Sequence, residues 1–195
     1  AVAQLYEKRS DIRFMLSTRN TPAIVDAVRL QQFDLGLVGR SPPYEGVTVL
    51  YQTAIPYVCL LRESHELTGT DEPIDLAELA MTESFITFGG AFPDEMSGMD
   101  HDLSQLLANN SRISATNMPM AASLTRAGGV ISIVDPFSAE LAEQMGGVVR
   151  RPIQQKLSYK IAVITRGLDT LSKEAKELAD LLIDRFQNVQ SDMND

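Results

Sequence analysis

Apolar and polar positions follow two rhythms along this chain. Val2, Leu5 and Tyr6 share a helical face, so the chain is expected to open in a helix. Ile12, Phe14 and Leu16 stand two apart, the period of a strand. Asn20-Thr21-Pro22 then starts a helix carrying Ile24, Val25 and Val28, since Asn is a good N-cap and Pro is tolerated in a first turn. Residues 33–38 read as a buried strand ended by Ser41-Pro42-Pro43, and residues 47–51 as another. The almost wholly apolar run 57–61 reads as a further buried strand. A short helix is expected over 75–80 and a strand over 85–88. Met96, Met99, Leu103 and Leu106 fall at helical spacing, which predicts a helix over 94–109. A strand over 113–116, a helix from Asn117-Met118-Pro119 to Gly128-Gly129, and a strand over 130–134 follow. Leu171, Ala175, Leu178, Leu182 and Phe186 form one face of a long amphipathic helix over 171–189. Strands alternating with helices predict an α/β fold with a largely parallel sheet.

Two segments echo each other. Each reads strand, Asn-x-Pro, helix, strand, with 18 residues from Asn20 to Val38 and 17 from Asn117 to Val134. A second pair runs from Gly46-Val47 through Gln52 to the run ending at Arg62, and from Gly147-Val148 through Gln154 to the run ending at Arg166. Two Rossmann-like lobes joined by a double crossover account for both echoes. Lobe I is expected over 1–54 and 156–195, and lobe II over 55–155.

Charge supports that division. Residues 1–54 carry six basic and five acidic side chains, residues 55–150 four and 14, and residues 151–195 seven and seven. The acidic middle is therefore a different surface from the two ends. The net charge of -9 argues against this chain gripping a phosphate backbone by itself, because that binding rests on Lys and Arg. With 44% hydrophobic and 22% charged residues over 195, the chain is long and apolar enough to bury a core. No apolar run approaches the ~18 residues of a membrane span. No basic start followed by an apolar stretch suggests a secretion signal. The single cysteine, Cys59, excludes an intramolecular disulfide and fits a reducing compartment.

The order of motifs resembles the effector-binding domain of LysR-type transcriptional regulators. Phe33-Asp34-Leu35-Gly36-Leu37-Val38 is similar to that family's Asp-Leu-(Ala/Gly)-(Ile/Leu) strand. Val58-Cys59-Leu60-Leu61-Arg62-Glu63-Ser64-His65-Glu66-Leu67 is similar to its next strand, with His65-Glu66-Leu67 where the family usually has His-Pro-Leu. The stretch from Ala121 to Pro136 resembles its helix, Gly turn and Ile-rich strand. The resemblance covers nearly the whole chain. It implies a periplasmic-binding-protein-like type II fold with a cleft between lobes, and a cytoplasmic regulator that forms a homodimer or tetramer. DNA would be reached only through an N-terminal winged helix-turn-helix, which this chain does not contain. The domain's own first strand, and the loop after it that commonly helps hold the effector, are also expected to be missing.

In open α/β sheets ligands sit beyond the carboxyl ends of strands, where helices begin. The two Asn-x-Pro starts and the 89–94 loop are such places, and free N–H groups there favour an anion. Thr18, Asn20, Thr21, Thr87 and Asn117 are candidate uncharged hydrogen-bonding groups, and Gly89 a backbone contact. Arg40 follows a strand end that faces the cleft in the family pattern, and a guanidinium there suits a carboxylate. Asp135 is placed to oppose a ligand amine, with Phe92 and Phe137 as apolar contacts. The expected effector is a small carboxylate or amino-acid-like molecule.

Catalysis finds little support. His65 and His101 form no metal-ligand spacing, and no metal or other cofactor is expected. Cys59 sits in an apolar run, as a core residue does. There is no P-loop, no Gly-x-Gly-x-x-Gly and no nucleophile elbow. Asp100 and Asp102, two apart on a helix, do not face each other. The main alternative to a regulator is the solute-binding protein of a transporter, and the third an enzyme on the same fold.

Overall fold

The computed structural model describes residues 1–39, 44–88 and 96–192. In chain order its first elements are α1 (Val2–Lys8), α2 (Thr21–Arg29), β1 (Gly36–Val38), β2 (Thr48–Pro56) and β3 (Val58–Arg62). A 3-10 turn (Glu66–Gly69) leads to α3 (Leu76–Leu79), β4 (Phe85–Phe88), β5 (Met96–Ser97) and α4 (His101–Asn109). Then come β6 (Ser111–Ala115), α5 (Met118–Ala127), β7 (Ser132–Val134) and α6 (Pro136–Gln144). β8 (Val148–Pro152), β9 (Ser158–Thr165) and α7 (Lys173–Asp192) complete the chain. The elements fall into two compact units, one of Ala1–Ala54 with Lys160–Asp195 and one of Ile55–Tyr159. The chain passes from one to the other within β2 and returns within β9.

In the second unit β3 lies between β7 and β8, antiparallel to both. Successive strand side chains point to opposite faces. Tyr57, Cys59 and Leu61 accordingly enter one core cluster, with Leu76, Phe85, Leu107 and Ile133. Val58 and Leu60 enter another, with Ile86, Ala121, Val134 and Ala139. A strand buried on both faces needs an unbroken apolar run, and residues 57–61 supply it. β4 pairs in parallel with β6, and a parallel bridge joins Phe85 to Ile131.

In the first unit β9 lies between β1 and β2 and runs antiparallel to β1, from Gly36 opposite Ile164 to Val38 opposite Ala162. A Cβ on Gly36 would press on Ile24 and Ile164, so this glycine lets α2 lie close to the sheet. One core cluster joins Val28, Val38, Ala162 and Ile164, with Ile24, Val25 and Phe33 against them, and Leu5 and Val163 are fully buried as well. In α7 the buried residues include Ala175, Ala179, Phe186 and Val189, and the Phe186 ring stacks on Tyr51 at 6.5 Å. Leu178 and Leu182 of the predicted face are only partly buried.

Several expectations change. Residues 12–16 form no strand, and Leu16 is 74% exposed. The strand over 33–38 shortens to β1. The helix over 94–109 begins only at His101, because Gly98 holds φ +95 and a Cβ there would collide with the Lys156 carbonyl. Met96 and Met99 both pack on the first cluster of the second unit, so core contact and not helix geometry explains their spacing. The helix α6 was not expected; Asp135 caps it and Pro136 fills its first position. The sheets are mixed, not largely parallel. β1 runs antiparallel to β9, and β3 to β7 and β8, while β4 and β6 are parallel.

Candidate functional site

The second unit gathers three strand ends. β4 and β6 are parallel, and the Phe85–Ile131 bridge sets the segment leading into β7 in the same direction. Their carboxyl ends therefore lie at one end of the unit, where α5 follows β6 and α6 follows β7. Asn117 caps α5, its Oδ1 accepting the Met120 N–H at 2.9 Å, and it is exposed. The Asn117 carbonyl takes the Ala121 N–H, and Pro119 has none to give. The cap thus leaves the Met118 N–H as the first-turn donor it does not engage.

Asp135 is more heavily committed. Its Oδ1 accepts the N–H groups of Phe137 and Ser138 at 3.0 and 2.9 Å, and its Oδ2 accepts the Ser138 hydroxyl at 2.6 Å. Its carbonyl takes the Ala139 N–H. With Pro136 at the first position, every first-turn donor of α6 is used internally. Phe137 is partly buried in that turn. Thr87 is buried, and its hydroxyl lies 3.2 Å from Ser111 Oγ and 3.4 Å from the Ile113 carbonyl. It joins β4 to β6. Arg40, Gly89 and Phe92 lie outside the described residues.

In the first unit Asn20 caps α2, accepting the Ala23 N–H at 3.1 Å, and its carbonyl takes the Ile24 N–H. Pro22 has no N–H, so the cap leaves the Thr21 N–H unengaged. Thr18 is exposed and lines an apolar groove of about 320 Å³ with Met15, Leu16, Leu35, Leu37 and Leu178. A second groove of about 420 Å³ is edged by Arg9, Asp11 and Glu174. Arg9 lies 3.2 Å from Asp11 and 3.3 Å from Glu174, and its hydrogen bond holds the Asp11 carboxyl below the ordinary range. Asn20, Thr18 and Thr21 thus share one unit, and Thr87, Asn117, Asp135 and Phe137 the other.

No activated nucleophile is present at Cys59. Burial pushes its thiol up to about 12, the Arg151 charge countering only weakly, so it stays protonated. His65 is a cap: its Nδ1 accepts the Leu67 N–H at 3.2 Å, and its Nε2 lies 3.5 Å from Glu83. Among the described residues no three His, Cys, Asp or Glu side chains are grouped to hold a metal ion. Sequence reasoning missed Met118 and Ser138. Ser138 was signalled by standing three residues after a capping Asp; nothing in the sequence signalled Met118.

Residues 1–187 match the family model of the LysR substrate binding domain. The chain belongs to that family. A LysR substrate-binding domain has the periplasmic-binding-protein-like type II fold, in agreement with the mixed α/β units here. A putative LysR family transcriptional regulator from Pseudomonas aeruginosa has the same fold at a TM-score of 0.65 and 13% identity, over 95% of this chain and 65% of that one. The effector-binding domain of QuiR, solved in complex with shikimate, gives 0.63 at 19% identity, over 96% and 88%. Full-length CbnR, solved with its target DNA, gives 0.60 at 14% identity, over 86% and 58%. The LysR domain described here thus spans less than two thirds of the regulators solved at full length. A comparison with curated proteins finds no match. Among the described residues no helix is long and apolar enough to cross a membrane.

Proposed function

We propose that this LysR domain is the ligand-sensing part of a bacterial transcription regulator, not an enzyme, and that its effector is a small carboxylate or amino-acid-like molecule. The family match over residues 1–187 carries the regulatory reading. The carboxylate reading is supported by the Thr21 and Met118 N–H groups, which the caps of α2 and α5 leave unengaged at positive helix ends. Shikimate, the ligand of the QuiR domain, is itself a small hydroxylated carboxylate. The candidate contacts are Thr18, Asn20 and Thr21 in the first unit and Asn117 and Phe137 in the second. Arg40 supplies the cation and Gly89 and Phe92 further contacts, by their places in the sequence after β1 and β4. Thr87 holds β4 and β6 together beneath the site. Asp135 first caps α6 and only then faces a ligand amine. On this reading lobe I is 1–54 with 156–195 and lobe II is 55–155. The regulator works in the cytoplasm as a homodimer or tetramer and reaches DNA through a separate N-terminal winged helix-turn-helix.

Calorimetric titration with a library of small carboxylates, shikimate included, tests this. Arg40→Ala is expected to weaken the best binder ~10- to 150-fold, as the loss of a charge-assisted contact worth roughly 1.5–3 kcal/mol. Thr21→Ala is expected to cost less. A neutral or cationic compound binding equally well to wild type and Arg40→Ala, with no carboxylate bound, would overturn the anion reading.

A further inference from the structure

The backbone N–H of a buried helix N-cap has to find an acceptor. In the usual reciprocal arrangement a Glu or Gln at the third helical position reaches back to it. In α6 that position is Ser138, whose short side chain instead donates to Asp135 Oδ2. Asp135 is 8% exposed, so water is a poor substitute. The acceptor comes from another helix: the Asp135 N lies 3.2 Å from Sδ of Met118, the first residue of α5. Met118 is partly buried and packs against both core clusters of the second unit.

We propose that Met118 is a positioning residue, whose thioether takes the Asp135 N–H and ties the start of α6 to the start of α5. A thioether is a weak acceptor on a flexible stem. The tie joins the two helix starts and, resting on a weak acceptor, gives way readily. Resting on the effector reading above, the inference deepens it. A carboxylate drawn to the Met118 N–H moves the residue whose side chain holds α6, so occupancy at α5 is relayed to the cap of α6.

Hydrogen exchange resolved by NMR on the intact chain tests the tie directly, with Met118→Leu and Met118→Gln. Leu keeps the bulk and removes the acceptor; Gln restores an acceptor at similar reach. In Met118→Leu the Asp135 amide is expected to exchange roughly 3- to 10-fold faster, with β3 amides unchanged, and Met118→Gln to restore protection. Unchanged exchange in Met118→Leu overturns the proposal. So does equal loss of protection in both variants, which would make the effect one of packing. With shikimate as probe, the Asp135 resonance is expected to shift in wild type and to stay in Met118→Leu while the Asn117 resonance still moves. Failure of every carboxylate to bind wild type counts against the effector reading, while Asp135 exchange still decides the tie.

Discussion

The two Asn-x-Pro segments begin alike and end differently. In both, an asparagine side chain accepts the N–H three residues on, and a helix of nine or ten residues follows. In the second unit the residues ahead of Asn117 form β6, because β4 lies beside them and completes a parallel ladder. In the first unit residues 12–16, with Ile12, Phe14 and Leu16 two apart, form no strand. The difference teaches that a cap is a local event and a strand is not. The helix start needs only its own side chain, whereas an alternating segment becomes a strand only where a neighbour takes its backbone groups. The consequence reaches the packing. The second unit fills both faces of β3, while the first has grooves of about 320 and 420 Å³ at its surface.

The sharpest way to break this comparison is to truncate a large apolar side chain in each unit. Phe85→Ala removes a fully buried ring from the second unit and is expected to cost about 3–5 kcal/mol. Leu178→Ala, in a side chain that already lines both grooves of the first unit, is expected to cost under about 1 kcal/mol. Leu178→Asp is likewise expected to cost less than its place on the helical face suggests. Urea unfolding of the three variants checks the ranking, and equal losses from Phe85→Ala and Leu178→Ala would refute it. Cys59 gives an internal reporter: it is fully buried with its thiol pushed up to about 12, so thiol labelling is expected only when the second unit opens.

Arg151 sharpens the picture of the denser unit. It is 4% exposed and carries a permanent charge. Its donors go to the Leu67 and Glu72 carbonyls and the Thr70 hydroxyl, fastening the 3-10 turn and the following loop to β8. Arg151→Met is expected to destabilise by roughly 1.5–3 kcal/mol, with faster exchange confined at first to residues 66–72. A variant that melts like wild type would mean that the loop stands without it.

The caps test the half of the comparison in which the units agree. Asn20→Ala and Asn117→Ala are each expected to cost about 0.5–2 kcal/mol, and to differ from one another by only a few tenths. Asn→Asp at either position is expected to be nearly neutral, since a carboxylate caps as well and favours a helix N-terminus. A large cost at Asn117 with none at Asn20, measured by thermal melting, would show that the shared motif does different structural work in the two places.

Legibility follows the same line. The starts of α2 and α5 and the short helix after Asp75 were readable because capping chemistry is contained in a few consecutive residues. The run 57–61 was readable because burial on both faces leaves no polar positions. The helix over 94–109 was misjudged because two methionines meeting the same core mimic helical spacing, and only a close backbone approach at Gly98 separates the cases. Strand direction was misjudged because an extended crossover leaves no periodic trace. Of the candidate site, the capping role of Asn20 and Asn117 was legible. The commitment of Asp135 to α6 and of Thr87 to its neighbouring strand was not, since each depends on which hydroxyls and amides the fold brings near. The thioether tie at Met118 joins residues 17 apart and has no sequence signature.

The smallest expected effect separates a screened carboxylate from an unscreened one. In the second unit Asp75 is held below the ordinary carboxylate range, first by the hydrogen bond from Gln155 Nε2 at 2.9 Å and also by the Ala77 and Glu78 N–H groups, while its partial desolvation acts the other way. In the first unit Asp11 is also held low, but chiefly by the Arg9 guanidinium, and its side chain is 71% exposed. For both, a lowered folded value means stability that is present above the ordinary carboxylate value and is lost as pH falls through the folded one. The causes differ in their response to salt. At about 1 M salt the Debye length is ~3 Å, which weakens an exposed ion pair and leaves hydrogen bonds from neutral donors largely intact. NMR titration of the two carboxyls is therefore expected to show Asp11 moving up toward its ordinary value in high salt while Asp75 stays low. Gln155→Ala is expected to raise Asp75 at any salt concentration and to leave Asp11 where it was. Asp75 following Asp11 upward in salt would mean that its environment is set by charge after all, and that the acidic surface of the second unit, not the Gln155 contact, governs it.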